Sequence, residues 1–448
     1  MYVINSTSLI QAAQRQDMAI SFWKVITRAA SKVAGGSSVS AEILSADMES
    51  PDCYFAAFQK HVHPTSMPGP HLDAMSRTAV QLIAAAFDKL QAKCSGPPAV
   101  VLDLFGWSKN EMYLAATGAV YGPQSPLDDP SFQQAYERFE SGVVALLMGV
   151  FPNLVSPESV QAREQLVKAL GQYFRSGGHN DPGASELVRR RFQHNSDSHI
   201  PPDDTARFEV GHLVAILNNT RPATFWLLFH MYSDPAVLDD IRHEVWKGVV
   251  TTSREEHRKY TLDLDHIKTS CPILLSTFHE VLRFHNVGVS GRIVTRDHLL
   301  DGRYLLKKGS TVIIPGPVQH SDATIWGPTV GVFNHKRFLK QEKRPSPAAF
   351  RGFGGGSTLC PGRHFATTEI TAFAALMAVR FNVRPKGGGV WMAPTTKRAP
   401  KVAAVPRPDG DIEVEVRLSE GVGGVSHEWE IVFSGSDKSV EGSAEDAM

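Results

Sequence analysis

The stretch "FGGGSTLCPGRHFA", residues 353–366, constrains the chain more than any other. Three consecutive glycines do not belong inside a helix or strand, because glycine loses the most backbone entropy when it is ordered. A loop is therefore imposed. It holds one sulfur, Cys360, and closes in a Pro-Gly-Arg turn. The alternatives are a phosphate cradle, a reactive thiol, a metal ligand or a mere loop.

A phosphate loop needs a lysine after its last glycine, and "GFGGGSTLC" has none. A dinucleotide fingerprint needs a strand in front, and "RPSPAAFR" is not one. A catalytic nucleophile needs a base and an orienting group. His364 could serve as the base, but no third partner is evident. A thiolate ligand explains more of the residues. Gly354, Gly355 and Gly356 can take positive φ and let the backbone fold around a sulfur. Pro361 suits the first position of a helix through "GRHFATTEITAFAALMAV", which puts Cys360 at a helix N-terminus. There, orphan N–H groups and the helix dipole favour the ionised form. A buried, singly presented thiolate is what a haem iron takes as an electron-donating axial ligand.

The rest of the chain leaves room for such a centre. At 448 residues and 42% hydrophobic it can bury a large core, and length alone allows roughly two or three domains. Lys+Arg and Asp+Glu both number 46, so nothing points to nucleic acid as a partner. The four cysteines, Cys53, Cys94, Cys271 and Cys360, lack CxxC spacing, which excludes a disulfide framework or zinc knuckle and fits a reducing compartment. No apolar run is long enough to span a bilayer; the longest, from Gly142 to Phe151, is about half the required length and ends at Pro152. No secretory signal is visible.

The opening "MYVINSTSLIQAAQRQ" predicts a short strand and a helix, with Ser8 and Gln11 at capping-box spacing. From about Leu72 to about Arg254 the pattern is mainly helical, cut by Pro/Gly/Asp clusters. Phe208 to Tyr232 is apolar nearly all round apart from "NNTRP", as a buried central helix should be, and Pro222 is expected to kink it. "SCPILLSTFHEVLRFHNVG" reads as a helix with Pro272 in its first turn. Short strands follow in "GRIVTRD", "GRYLLKKGSTVIIPGP" and "DIEVEVRL", giving a small β region near the C-terminal third. The polar tail "SGSDKSVEGSAEDAM" is expected to be disordered.

The loop matches F-x-x-G-x-x-x-C-x-G-R-x-x-A at Phe353, Gly356, Cys360, Gly362, Arg363 and Ala366. This resembles the haem-binding signature of the cytochrome P-450 superfamily, the haem-thiolate monooxygenases. Glu280 and Arg283, three apart on one helix, are similar to the family's E-x-x-R pair, and "FNHKRF" supplies Arg337 as the arginine expected to lock with them. "GRIVTRD" resembles the family strand whose arginine, here Arg292, points at a haem propionate. An Asn-x-x-Pro-Ala run at Asn219 and the "CPGR" turn look like the bile-acid sterol hydroxylase and prostacyclin synthase branch, in a style that resembles fungal members.

Three departures stand out. Many members carry Arg or His two residues before the ligand, where this chain has Thr358. The usual W-x-x-x-R helix is not found. In the central helix, members place an acid and a threonine that manage protons during oxygen activation; the corresponding residues here are Asn218 and Asn219. An amide can hydrogen-bond a bound molecule but does not relay a proton as a carboxyl does. The plainer alternative is that both asparagines satisfy backbone groups around Pro222.

The resemblance implies a mainly α fold with a small β subdomain, one catalytic domain over 1–432 and a tail from 433. It implies haem b held by Cys360, with Phe353, Gly354, Gly356, Gly362 and Arg292 around it and Asn218 and Asn219 opposite. The expected activity is insertion of one oxygen atom into a sterol, fatty acid or specialised metabolite, with electrons from an NADPH-cytochrome reductase. Two alternatives accompany it: a redox-neutral isomerase or dehydratase of a peroxide or pre-oxidised substrate, and a silent haem- or lipid-binding relative. The implied setting is the cytosolic face of the endoplasmic reticulum membrane, otherwise the cytoplasm, for a monomer. Relatives typically carry an N-terminal anchor ahead of the first strand, so an upstream segment is expected to be missing.

Overall fold

In a computed structural model the described residues are 1–434, apart from 17, 49, 97–98, 150, 255–256, 340–344, 401–402 and 420–425. The tail expected to be disordered lies outside them, save its first residue. Helices dominate, as the Pro/Gly punctuation predicts. Pro70, Pro130, Pro157, Pro202, Pro235 and Pro272 each stand at the start of a helix, where a missing N–H costs nothing. The first helix runs from Thr7 to Gln14 with Ser6 as its cap. The expected capping box therefore does not form: Ser8 lies inside the first turn, and its hydroxyl meets that of Ser6 at 2.8 Å.

The apolar stretch from 208 to 232 forms two helices, Pro202–Leu217 and Thr220–Ser233. The break falls at Asn218 and Asn219, earlier than Pro222 itself. Proline lacks the N–H that would bond the carbonyl four residues back, and its ring clashes with that carbonyl. Four back from Pro222 is Asn218. Nearly every side chain of Thr220–Ser233 is buried, in keeping with an all-round apolar helix. The helix after the glycine loop, Arg363–Arg380, is buried along almost its whole length. It joins Thr220–Ser233 and Pro272–Phe284 in one apolar core. A second core contains Leu213 and Leu217 together with Phe365. Phe365 lies five residues beyond Cys360, so this packing sets the start of the helix that follows Cys360 against the central break.

Strands form small sheets beside the helical body. Val289–Val294 pairs antiparallel with Thr311–Pro315, which takes Tyr2–Val3 on its far side, while Ile20–Ser21 closes the other edge. A second sheet joins Phe381–Pro385, Glu413–Leu418 and Val100–Asp103. The third joins Val249–Arg254, His257–Asp263 and Ser426–Val432. Tyr2–Val3 is the opening strand the sequence predicts, whereas Ile20–Ser21 is unexpected and Val100–Asp103 lies within the stretch read as mainly helical. The helical run expected to reach Arg254 stops at Trp246, where "VVTTSR" brings in β-branched residues.

Candidate active site

The glycine loop is closed by one long-range bond: the Cys360 N–H donates to the Phe353 carbonyl at 3.0 Å. Between them, Gly354 at φ +88° and Gly356 at φ +70° occupy the left-handed region, where a side chain would be strained. Gly355 is extended and is needed for space. A Cβ there would lie 2.6 Å from Arg351 Nη1 and 2.8 Å from Gln14 Nε2. Phe353 stands edge-on to Phe278, ring centroids 6.2 Å apart, which anchors the loop on the Pro272–Phe284 helix.

The following helix begins at Arg363, two residues later than Pro361 suggested. Pro361 and Gly362 are spent on the turn: the Arg363 N–H donates to the Cys360 carbonyl at 3.3 Å, and Ala366 N–H to the Gly362 carbonyl at 2.9 Å. Cys360 is half-buried at this corner, and a Cβ on Gly362 would lie 3.9 Å from its sulfur. Two other cysteines are poor thiolates. Burial pushes the Cys94 thiol up to about 11. Burial, with Glu244 nearby, pushes Cys271 to about 12.

Under the loop, Glu280, Arg283 and Arg337 converge in the interior. Arg283 grips Glu280 with two donors, Nε to Oε2 at 2.7 Å and Nη2 to Oε1 at 2.8 Å. Arg337 Nε reaches the same carboxylate at 3.0 and 3.1 Å. The spare arginine nitrogens donate to the carbonyls of His320, Trp326, Thr329 and Val332. A buried ion pair holds only when the leftover donors are also satisfied, and here they are. His320 extends the network. The backbone N–H of Arg351 donates to its Nε2 at 2.7 Å, which leaves the ring proton on Nδ1, 3.1 Å from the Arg283 carbonyl. Burial and the Arg283 charge hold His320 neutral, its pKa lowered to about 3.

Arg292 is fully buried in Val289–Val294, and its Nη2 donates to Thr358 Oγ1 at 2.7 Å. The strand and the loop are joined at the position where a basic residue is missing. Arg351 is 5% exposed, and its Nη1 and Nη2 have no hydrogen-bond partner among the described residues. Sequence reasoning passed over Arg351, His320 and Gln14. The one available signal was an arginine two residues ahead of Phe353.

The two asparagines part company. Asn218 is buried; its Oδ1 accepts from the Tyr136 hydroxyl, while its Nδ2 has no partner among the described residues. It lines a cavity of about 20 Å³ with Lys109, Glu137, Glu140 and Arg221. Asn219 is exposed, and its Oδ1 accepts the backbone N–H groups of Ala404 at 2.8 Å and Val405 at 3.2 Å. Its carbonyl end therefore pins the segment after residue 402 to the helix break. Asn219→Ala is expected to destabilise the protein by about 1–3 kcal/mol in urea titration, because it strands those two donors. Asn219→Asp keeps the acceptor and is expected to retain most of the stability.

The family model described as cytochrome P450 matches residues 165–412. The cytochrome P450 monooxygenase nodJ of Hypoxylon pulicicidum is 32% identical, over 93% of this chain and 80% of its own length. A cytochrome P450 monooxygenase of Gibberella zeae is 26% identical over 96% of this chain and 82% of its own. Cholesterol 7-alpha-monooxygenase of Cricetulus griseus is 29% identical, over 63% of this chain and 58% of its own. The segment from ahead of the central break to beyond the Arg363–Arg380 helix carries the family pattern, and a relative matches nearly end to end: the chain belongs to the cytochrome P450 family and is an oxidoreductase of the monooxygenase type.

Proposed function

We propose that this haem-thiolate monooxygenase holds haem b through Cys360 and oxygenates an apolar small molecule of the sterol, fatty-acid or specialised-metabolite class. The observation that carries the reading is the loop closed by the Cys360–Phe353 bond, which presents one sulfur at a corner where Gly354 and Gly356 alone permit the backbone path. The residues around it fit a haem with carboxylates: buried guanidinium donors at Arg351, packed with Gln14 against Gly355 of the same loop. When bound, haem supplies the redox chemistry of dioxygen, and a thiolate ligand favours O–O cleavage.

The chain's own residues do the positioning. Gly362 leaves room beside the sulfur, and Phe353 fixes the loop. Arg292 sets the strand against Thr358 and offers a cation to a carboxylate. Asn218 cannot shuttle a proton itself. Its Nδ2 and Arg221 Nη1 have no partner among the described residues, and both residues line the small cavity with Glu140, whose Oε2 accepts from Arg221 Nη2 at 2.7 Å. About one water fits a cavity of that size. Such a water would satisfy both donors and link Asn218 to Glu140. Asn219, exposed at the break, presents its amide N–H₂ to a bound molecule while its carbonyl stays tied to Ala404 and Val405.

Electrons come from a redox partner in this family; we take it to be an NADPH-cytochrome reductase at the cytosolic face of the endoplasmic reticulum membrane. None of the described helices is long and apolar enough to cross a membrane. Val144, Leu147, Met148, Phe151, Leu154 and Val155 nevertheless form an exposed apolar run, which supports contact with a lipid surface. The test is turnover with reductase, NADPH and a panel of sterols and fatty acids. Substrate-dependent consumption of NADPH and dioxygen, with an oxygenated product, is expected. The absence of a carboxylate at the Asn218–Asn219 break favours the isomerase as a second reading. A product formed from a hydroperoxide without either consumption would replace the first reading with the second.

A further inference from the structure

Arg351 is a buried cation whose fork is unused among the described residues. Its backbone is fixed by the 2.7 Å bond to His320, so the side chain leaves from a set position. Nη1 and Nη2 find no acceptor among the described residues, and neither does Gln14 Nε2. Arg351 Nη1 and Gln14 Nε2 meet over Gly355: a Cβ there would be 2.6 Å from the first and 2.8 Å from the second. Arg292 adds a second positive charge, held at Thr358 in the same loop. Burial, and then the Arg292 charge, lower the Arg351 pKa to about 10, so the pair is mutually unfavourable as it stands.

A buried guanidinium without a counter-charge costs several kcal/mol, and native proteins keep such groups only where an anion meets them. The donors are grouped, planar and forked, which matches a carboxylate. They converge on Gly355, three residues before Thr358 in the loop that carries Cys360; Arg351 itself stands seven residues before Thr358, and Gln14 reaches in from the end of the first helix. We propose that Arg351, flanked by Arg292 and Gln14, is the seat of a haem carboxylate and substitutes for the cation missing at Thr358. The assignment rests on the haem reading above. It gives this chain a carboxylate grip from the start of the loop, ahead of Phe353, in place of one just before the cysteine.

The test is haem loss to excess apomyoglobin, which reads retention independently of turnover. Wild type, Arg351→Ala and Arg351→Lys are compared with protohaem and with haem dimethyl ester, whose carboxylates are masked. Arg351→Ala is expected to release protohaem on the order of ten- to a hundredfold faster than wild type, the worth of a charged hydrogen bond. Arg351→Lys keeps the charge without the fork and falls between. The dimethyl ester should leave wild type and Arg351→Ala at the same fast rate. If Arg351→Ala does not fold, Arg351→Lys compared with wild type on both haems decides: faster loss of protohaem with equal loss of the ester supports the assignment, and equal loss of protohaem overturns it. Wild type holding the ester as long as protohaem, or Arg351→Ala releasing protohaem at the wild-type rate, overturns the assignment and leaves the haem reading intact. Should the ester be held normally while Arg351→Ala weakens binding of a fatty acid, the carboxylate belongs to substrate and the assignment is likewise overturned. Wild type taking up neither haem overturns the haem reading itself, and this assignment with it.

Discussion

Glu280→Ala is expected to give little or no folded protein. The substitution removes one carboxylate and strands two guanidiniums, Arg283 and Arg337, in an interior where their other nitrogens already cap carbonyls. Breaking a buried pair by deleting one partner costs about 3–5 kcal/mol, and two arginines share this partner. Against a total stability of about 5–15 kcal/mol for an ordinary domain, that loss is decisive. The Asn334 N–H, which donates to Glu280 Oε1 at 3.0 Å, loses its acceptor too and loosens the segment leading to Arg337. Soluble yield and thermal melting read the effect. The triple change Glu280→Leu, Arg283→Met, Arg337→Leu removes the charges together and is expected to recover part of the loss. A Glu280→Ala protein that melts within a degree or two of wild type would contradict the role given to this carboxylate.

Cys360→Ala is expected to do the opposite: leave the fold and remove the chemistry. The side chain is small, half-buried and at a turn held by backbone bonds, so the stability change should be within about 1 kcal/mol. Turnover should fall by on the order of a thousandfold or more, to background, as each tenfold corresponds to only about 1.4 kcal/mol of barrier. Cys271→Ala is the matched control. That thiol is deeper, and burial holds it protonated, so its loss should cost some stability and no activity. Rates and melting curves of the two variants, measured side by side, separate a ligand from a packing residue.

Much of this was legible before any coordinates. The glycines, the cysteine and the Pro-Gly-Arg turn are consecutive in the chain, so local backbone limits reveal the loop. Glu280 and Arg283 share a helix face at a spacing of three, and the family resemblance supplied Arg337. Pro222 announced the interruption of the central helix, though the break falls at the carbonyl the proline cannot serve. What was hidden depends on convergence of distant segments. Val100–Asp103 becomes a strand only because Glu413–Leu418 lies beside it. Val249–Arg254 is polar enough to pass for a helix end until His257–Asp263 pairs with it. His320 and Arg351 are ordinary residues in ordinary text; their roles arise where the Glu280 network meets the loop. Asn219 was weighed as a helper of bound oxygen, and its carbonyl proves to be committed to two backbone donors that no local pattern could foretell.

The central claim is the bond between the Cys360 sulfur and a haem iron, and the spectrum of the reduced, carbonylated protein tests it most directly. The account predicts the far-red-shifted Soret band of a thiolate-ligated carbonyl complex in wild type, and its disappearance in Cys360→Ala at equal haem loading. A wild-type band at the shorter wavelength of a histidine-ligated complex, or an unchanged band in Cys360→Ala, would contradict it.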